Sequence, residues 1–208
     1  YGPFSIENDK QKVAITQDGQ KEALEHAGRT GGLPFVGVGW YRLNFEAPAF
    51  SSGKKATLIF DGAMSHARVY INGQEAGFWP YGYNSFHIDA TPYLKAGEQN
   101  TLAVRLENET ESSRWYPGAG LYRNVHLIVT DRIHVPVWGT QITTPHVSKE
   151  FAAVRLQTRI DNAGEKTQIR METEILSPDG KVVTRKENTG RINHGQPFEQ
   201  NFIVNAPE

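Results

Sequence analysis

The sequence predicts an all-β chain arranged as two successive β-sandwiches. Apolar and polar residues alternate with a period of two from Trp40 onward. Turn pairs such as Asn72-Gly73 and Asp179-Gly180 interrupt that alternation at short intervals. The pattern then stops at Thr130 and restarts. Many short alternating strands punctuated by turn residues are the signature of sandwich architectures.

The elements follow in chain order. One helix is expected, over Gly19–Gly28 (GQKEALEHAG), where Ala23, Leu24 and Ala27 form a short apolar stripe and Gly28 fits a stop. RTGGLPFVGVG, 29–39, reads as irregular because its glycines and proline break any period. WYRLNFE sets Tyr41, Leu43 and Phe45 on one face, and KATLIF is a nearly continuous apolar strand. HARVYING sets Ala67, Val69 and Ile71 on one face and ends in Asn72-Gly73, a hairpin pair because both residues tolerate positive φ. QNTLAVRLEN alternates Leu102, Val104 and Leu106 against Ala103, Arg105 and Glu107. RNVHLIV alternates Val125, Leu127 and Val129. Beyond Thr130, AAVRLQTRI carries Val154, Leu156 and Ile160, and TQIRMETEI carries Ile169, Met171, Thr173 and Ile175 with Gln168, Arg170, Glu172 and Glu174 outward. KVVTRKEN and FEQNFIV complete the series, and DRIHVPVWG places a boundary near Asp131–Pro136.

Composition narrows the function classes. The 208 residues suffice for one large or two small domains with a real core. Lys+Arg 22 against Asp+Glu 23 leaves a net charge of −1, with no basic field to attract nucleic acid or anionic lipid. No apolar run approaches the ~20 residues of a membrane span. Cys is 0, which removes disulfides, thiol catalysis and cysteine-rich zinc sites together. Tyr1 opens without a basic-then-apolar leader. The compartment stays open, with a periplasmic or secreted location favoured over a cytoplasmic one.

No complete catalytic set is evident. The seven histidines do not fall at metal-ligand spacings, no G-x-S-x-G elbow or phosphate loop occurs, and no metal or cofactor is expected. His87 reads as structural. Glycoside hydrolysis needs two carboxylates flanking the scissile bond, whereas Glu107, Glu109 and Glu111 read as the solvated end of a strand. Asp61 precedes a turn, and Asp89 suits a cap on the backbone of the Thr91–Leu94 turn. Aromatic residues are the remaining signal: Trp79, Tyr81, Tyr83 and Phe86 crowd one stretch, and Trp115, Tyr116 and Tyr122 another. Rings pack sandwich cores and corners. They also offer a flat apolar surface to the C–H face of a pyranose, whose hydroxyls then need Arg, Asn or Asp. The Trp79-Pro80 pair reads as an exposed loop.

In ESSRWYPGAGLYRNVHLIV, 111–129, Pro117-Gly118 fits the centre of a type II turn. Leu121, Val125, Leu127 and Val129 are expected in the core, with Arg123 bracing the corner through backbone carbonyls. Ser113, Arg114, Trp115 and Tyr116 are left as an exposed lip.

TGGLPFVGVGWYRLNFEAP, IFDGAMSHARVYINGQEAGFWPYGYNSFHIDATPYLKAGEQNTLAVRL and SRWYPGAGLYRNVHL together resemble the N-terminal sugar-binding domain of glycoside hydrolase family 2. That family includes β-galactosidases, β-glucuronidases and β-mannosidases, and the HAGRTGGLPFVGVGWYR form is similar to β-galactosidase-type enzymes. The match spans 2–130, and 132–208 resembles the immunoglobulin-like domain that follows in the family. The resemblance implies a jelly-roll (galactose-binding-domain-like) sandwich over 1–131 and an immunoglobulin-like sandwich over 132–208. A (β/α)₈ barrel bearing the catalytic glutamates would follow. By that comparison the first jelly-roll strands precede Tyr1 and the last strands of the second sandwich follow Glu208, so the chain reads as a piece of a larger hydrolase. No catalytic residue is carried over.

A loop just before G-x-x-R helps shape the family's sugar pocket. It corresponds here to Ser113, Arg114, Trp115 and Tyr116, and Trp79 is a further candidate for substrate binding. Some β-galactosidases have an Asp in this loop that touches sugar and a sodium ion, and Ser113 stands near that position. The implied partners are a β-galactoside or related glycan and the barrel, with self-association possible. Three roles stay open at this stage: accessory region of a retaining exo-glycosidase, independent carbohydrate-binding module, or a structural interdomain or oligomer surface.

Overall fold

A computed structural model describes residues 14–17, 20–24, 37–108, 120–193 and 195–207. Among these every regular element is a strand. In chain order they are β1 (Ala14–Gln17), β2 (Gln20–Leu24), β3 (Gly37–Glu46), β4 (Lys55–Phe60), β5 (Ala63–Met64), β6 (Ala67–Ile71), β7 (Gln74–Trp79), β8 (Phe86–Asp89), β9 (Gln99–Asn108), β10 (Gly120–Leu121) and β11 (Val125–Thr130). Then come β12 (Ile133–His134), β13 (Thr140–Val147), β14 (Phe151–Asn162), β15 (Thr167–Leu176), β16 (Val182–Ile192) and β17 (Gln196–Asn205). The chain separates into two compact units, 1–50 with 56–129 and 51–55 with 130–208.

The helix expected over Gly19–Gly28 is not there: Gln20–Leu24 is a strand, antiparallel to β1 with Gln17 opposite Gln20. A segment of that length with glycine at both ends is shorter than the ~12–15 residues an unsupported helix needs. The overlooked signal is Asp18-Gly19 in the sequence, a dipeptide suited to a tight hairpin. The irregular stretch is also shorter than expected, since β3 already begins at Gly37.

The first unit holds a four-stranded sheet in the order β3-β9-β6-β7, a three-stranded sheet β11-β4-β8, and the short pair β10-β5. The expected alternation appears in the burial. Ala67, Val69 and Ile71 are fully buried and Leu102, Val104 and Leu106 nearly so, while Arg68, Ala103, Arg105 and Glu107 lie on the opposite face. Leu58, Phe60, Phe86 and Ile88 complete the core, and Leu121, Val125, Leu127 and Val129 pack against it as expected. Leu43 differs: it shares the core phase of β3 but is exposed, and only Phe45 of that trio packs on the core cluster.

Polar side chains set the register of this unit. Asn72 and Gly73 adopt φ of 51° and 83°, the backbone a tight β6–β7 hairpin needs. Asn72 also donates through Nδ2 to the Tyr93 carbonyl (2.9 Å) and to Asn100 Oδ1 (2.8 Å), and its Oδ1 accepts from the Thr101 amide (3.0 Å). The buried Asn100 accepts from the Lys95 amide (2.9 Å) and donates to the carbonyls of Lys95 (2.9 Å) and Glu98 (2.8 Å). Asp89 caps the turn as expected, accepting from the Thr91 amide (3.0 Å).

In the second unit β14 pairs with β12, β13 and β17, and β15 pairs with β16 as a separate hairpin. Ile169, Met171, Thr173 and Ile175 alternate inward against exposed neighbours, as expected. The fully buried Gln200 of β17 ties this hairpin down: its Oε1 accepts from Thr173 (2.6 Å) and its Nε2 donates to Asn188 Oδ1 (2.8 Å). On the outer face Arg185 pairs with Glu172 and Glu174, and Arg170 with Glu172 and Glu187. These contacts hold the Glu172 carboxyl below its usual range, chiefly through Arg185 and then Arg170. Among the described residues β13 pairs with β14 alone; Pro145 and a register break between Thr143 and His146 blunt its other edge.

Candidate functional site

Ser113, Arg114, Trp115 and Tyr116 lie outside the described residues, as does Pro117-Gly118. The structure does fix the two points between which they run. β9 ends at Asn108 and β10 begins at Gly120, which pairs with Met64 of β5. The Ser65 and Glu107 backbones exchange two hydrogen bonds (2.9 and 3.3 Å), and the Ser65 hydroxyl donates to the Glu107 carbonyl (2.8 Å). The His66 amide donates to the Pro80 carbonyl (3.1 Å). Gly120 has φ of 109°, and a Cβ there would collide with the Tyr41 hydroxyl, so glycine suits this entry point.

The corner beyond it is built on Tyr122. Its hydroxyl donates to the Gly82 carbonyl (2.7 Å), and its ring lies flat against Gly62, where a Cβ would meet Cζ at 2.5 Å. The expected brace from Arg123 to backbone carbonyls takes a different form. Arg123 stacks over the Tyr122 ring, 5.3 Å from its centroid, and the tyrosine makes the carbonyl contact. A phenol hydroxyl on a stiff two-torsion side chain holds a fixed carbonyl at lower entropic cost than a long arginine does. Tyr81 and Tyr83 are exposed beside this corner, with ring centroids 5.6 Å apart.

Trp79 is the last residue of β7 and half-buried, rather than in an exposed loop. Its ring stacks on Phe86 (5.7 Å, 13°), and Phe86 stacks on Phe60 (4.7 Å, 4°). Its indole N–H donates to Asn84 Oδ1 (2.9 Å), which orders the loop carrying Tyr81 and Tyr83. The β-strand period extends to residue 79 and puts the indole over the core stack, a placement that the adjacent proline obscures in the sequence.

The carboxylates here are paired. Asp61 Oδ2 lies 3.0 Å from His126 Nε2, and the Asp61 carbonyl accepts from Ser85. Arg105 holds the Glu107 carboxyl below its ordinary value of 4.5. Glu150 and Glu199 shift in the same direction, the first through Ser148 and the second chiefly through Arg155. A general acid of glycoside hydrolysis needs the opposite, a carboxyl raised towards neutrality. Among the described residues no group of three or more His, Asp or Glu is placed to hold a metal ion. The partnerships Tyr122–Gly82, Tyr41–Gly120 and Asp61–His126 link strands distant in sequence, and their only local trace is the glycines at 62, 82 and 120.

Residues 33–131 match the family model for the sugar binding domain of glycosyl hydrolases family 2. This stretch is a glycosyl hydrolase family 2 sugar binding domain. A family 2 relative, β-galactosidase BoGH2A of Bacteroides ovatus, is 39% identical over 215 residues, covering 99% of this chain and 25% of the relative. A β-glucuronidase of Formosa agariphila is 31% identical over 191 residues, covering 81% of this chain and 20% of its own length. Among solved structures, a family 2 member from Bacteroides cellulosilyticus superposes with a TM-score of 0.80 at 32% identity, covering 85% of this chain and 23% of that one. The chain thus spans about a quarter or less of the length of these relatives. Among the described residues no helix is long and apolar enough to cross a membrane.

Proposed function

We propose that the chain is the non-catalytic N-terminal region of a retaining exo-glycosidase of β-galactosidase type. In this proposal 1–131 is the jelly-roll sugar-binding domain and 132–208 an immunoglobulin-like sandwich. Two glutamates of a (β/α)₈ barrel would perform the chemistry through a covalent glycosyl-enzyme. This region would position the barrel and wall the sugar pocket. In this proposal Ser113, Arg114, Trp115 and Tyr116 contribute the sugar-facing part of that wall, and Trp79 orders the Asn84 loop.

The observation that carries the proposal is the locked frame around 109–119. The residues flanking that segment are anchored on either side, Glu107 by its hydrogen bonds with Ser65, and Gly120 by pairing with Met64 beside the Tyr122 corner. The downward-shifted Glu107 suits a structural role better than a proton donor.

Kinetics of Trp115→Ala and Arg114→Ala in the full-length enzyme, on nitrophenyl β-galactoside and nitrophenyl β-glucuronide, test the proposal. Loss of one sugar contact of about 1.4 kcal/mol raises KM about tenfold with a smaller change in kcat. Unchanged KM in both variants would remove the lip from the pocket. A glucuronide preferred over the galactoside would reassign the substrate.

A further inference from the structure

The outer face of the sheet β3-β9-β6-β7 carries an aromatic and cationic pair that the proposed role does not use. Tyr41 is in phase with the buried Val104 and Val69, so Trp40 and Arg42 project on the side away from the core. Trp40 stands opposite Arg105, and Arg42 stands opposite Ala103, which is itself opposite Tyr70 on β6. The methyl group of Ala103 leaves space above β9. The Trp40 indole crosses that space to meet the Tyr70 ring, centroids 5.5 Å apart at 37°. Trp40 is thereby backed from one side yet remains 56% exposed.

Arg42 lies two residues further along the same strand face, roughly 6.6–7 Å away by strand geometry. Trp40 and Arg42 border an open depression on this sheet face. The other arginines of this face are engaged. Arg105 is paired with Glu107, and Arg68 is paired with Glu75 (3.0 Å) while lying 4.8 Å over the Phe78 ring. Arg42 has no ion-pair partner among the described residues.

We propose that Trp40 and Arg42 form a binding site for an anionic pyranose, a sugar ring bearing a carboxylate or a sulfate. The ring's C–H face lies on the indole that Tyr70 backs, and the acidic group one ring-width away meets the planar fork of Arg42. A neutral sugar can use the indole but gains nothing from the guanidinium. Both residues sit on a central run of paired strand, so their spacing is set before the ligand arrives. The site uses only side chains of this chain and stands whether or not the glycosidase role does.

The test is titration of the full chain, by tryptophan fluorescence and calorimetry, with methyl β-glucuronide, galactose 6-sulfate and methyl β-galactoside. Each is measured at low salt and at about 0.15 M. An anionic sugar is expected to bind at least about tenfold more tightly than the neutral one, the size of one charged hydrogen-bonded contact in partial contact with water. That margin should shrink with salt. Binding of only one anion assigns the group as carboxylate or sulfate. Arg42→Gln should abolish the preference for anions while the circular dichroism stays unchanged. Trp40→Phe, which keeps an aromatic ring and the fold, should weaken all the sugars that bind. Absence of binding by both anions overturns the site, as does an anionic preference that survives Arg42→Gln.

Discussion

Asn100 gives the sharpest prediction about how the sugar-binding sandwich holds its register. It is 2% exposed and makes four hydrogen bonds of 2.8–2.9 Å, to Asn72 Nδ2, the Lys95 amide and the carbonyls of Lys95 and Glu98. Asn100→Ala removes all four and strands buried backbone groups. At roughly 1 kcal/mol for each bond lost, the cost is about 3–5 kcal/mol. That corresponds to a fall in melting temperature of roughly 10 °C for a chain of this size. Asn100→Asp is the sharper probe. It replaces a donor that faces two carbonyls with a second oxygen, so the folded state favours the protonated acid and raises its pKa. The penalty is then small below the ordinary aspartate value of about 3.9 and grows as pH rises through the raised folded value. Thermal unfolding followed by near-ultraviolet circular dichroism at pH 4 and pH 7 reads both effects. A loss under about 2 °C for Asn100→Ala, or an Asn100→Asp deficit that does not grow with pH, would refute this assignment of Asn100 as the polar lock.

Three further outcomes are expected. Gly62→Ala drives a methyl group into the Tyr122 ring (2.5 Å to Cζ) and should cost about 1–3 kcal/mol in urea unfolding; the cost should largely vanish in a Tyr122→Ala background, and additive losses would show that the ring is not what the methyl group meets. Tyr122→Phe removes the hydroxyl donated to Gly82 and should cost about 1 kcal/mol, with no change in unfolding midpoint as the contrary result. Glu172 has a folded pKa below its ordinary 4.5, so the stability it contributes is present above that value and lost as pH falls through the folded value. Glu172→Gln should therefore flatten the acid limb of a stability–pH profile, and an identical acid limb would count against the Arg185 and Arg170 clamp.

Much of the fold was legible because period-two alternation is a local property. Ala67, Val69 and Ile71, or Ile169, Met171, Thr173 and Ile175, reveal their faces through spacing alone. Asn72-Gly73 was legible because positive φ restricts residue type. Gln20–Leu24 misled because a short apolar stripe suits a helix as well as a strand, and pairing with β1 decides between them. Leu43 misled because phase assigns a residue to a face without saying whether that face is covered there.

The candidate site was legible as composition and motif, not as geometry. Trp79 could be picked out as an unusual ring, but its stack on Phe86 and its bond to Asn84 depend on how β7 and β8 pack. Arg123 and Tyr122 are adjacent in sequence and exchange expected roles, since which of them reaches Gly82 depends on a contact forty residues away. Asp61 and His126, sixty-five positions apart, had no local signal at all.

The measurement that bears hardest on the proposed accessory role is turnover of nitrophenyl β-galactoside and nitrophenyl β-glucuronide by this chain alone. A chain without the two barrel glutamates should release nitrophenol no faster than buffer does. Release that co-purifies with the chain and rises in proportion to its concentration would contradict the proposal and return the search for an acid and a nucleophile to these residues.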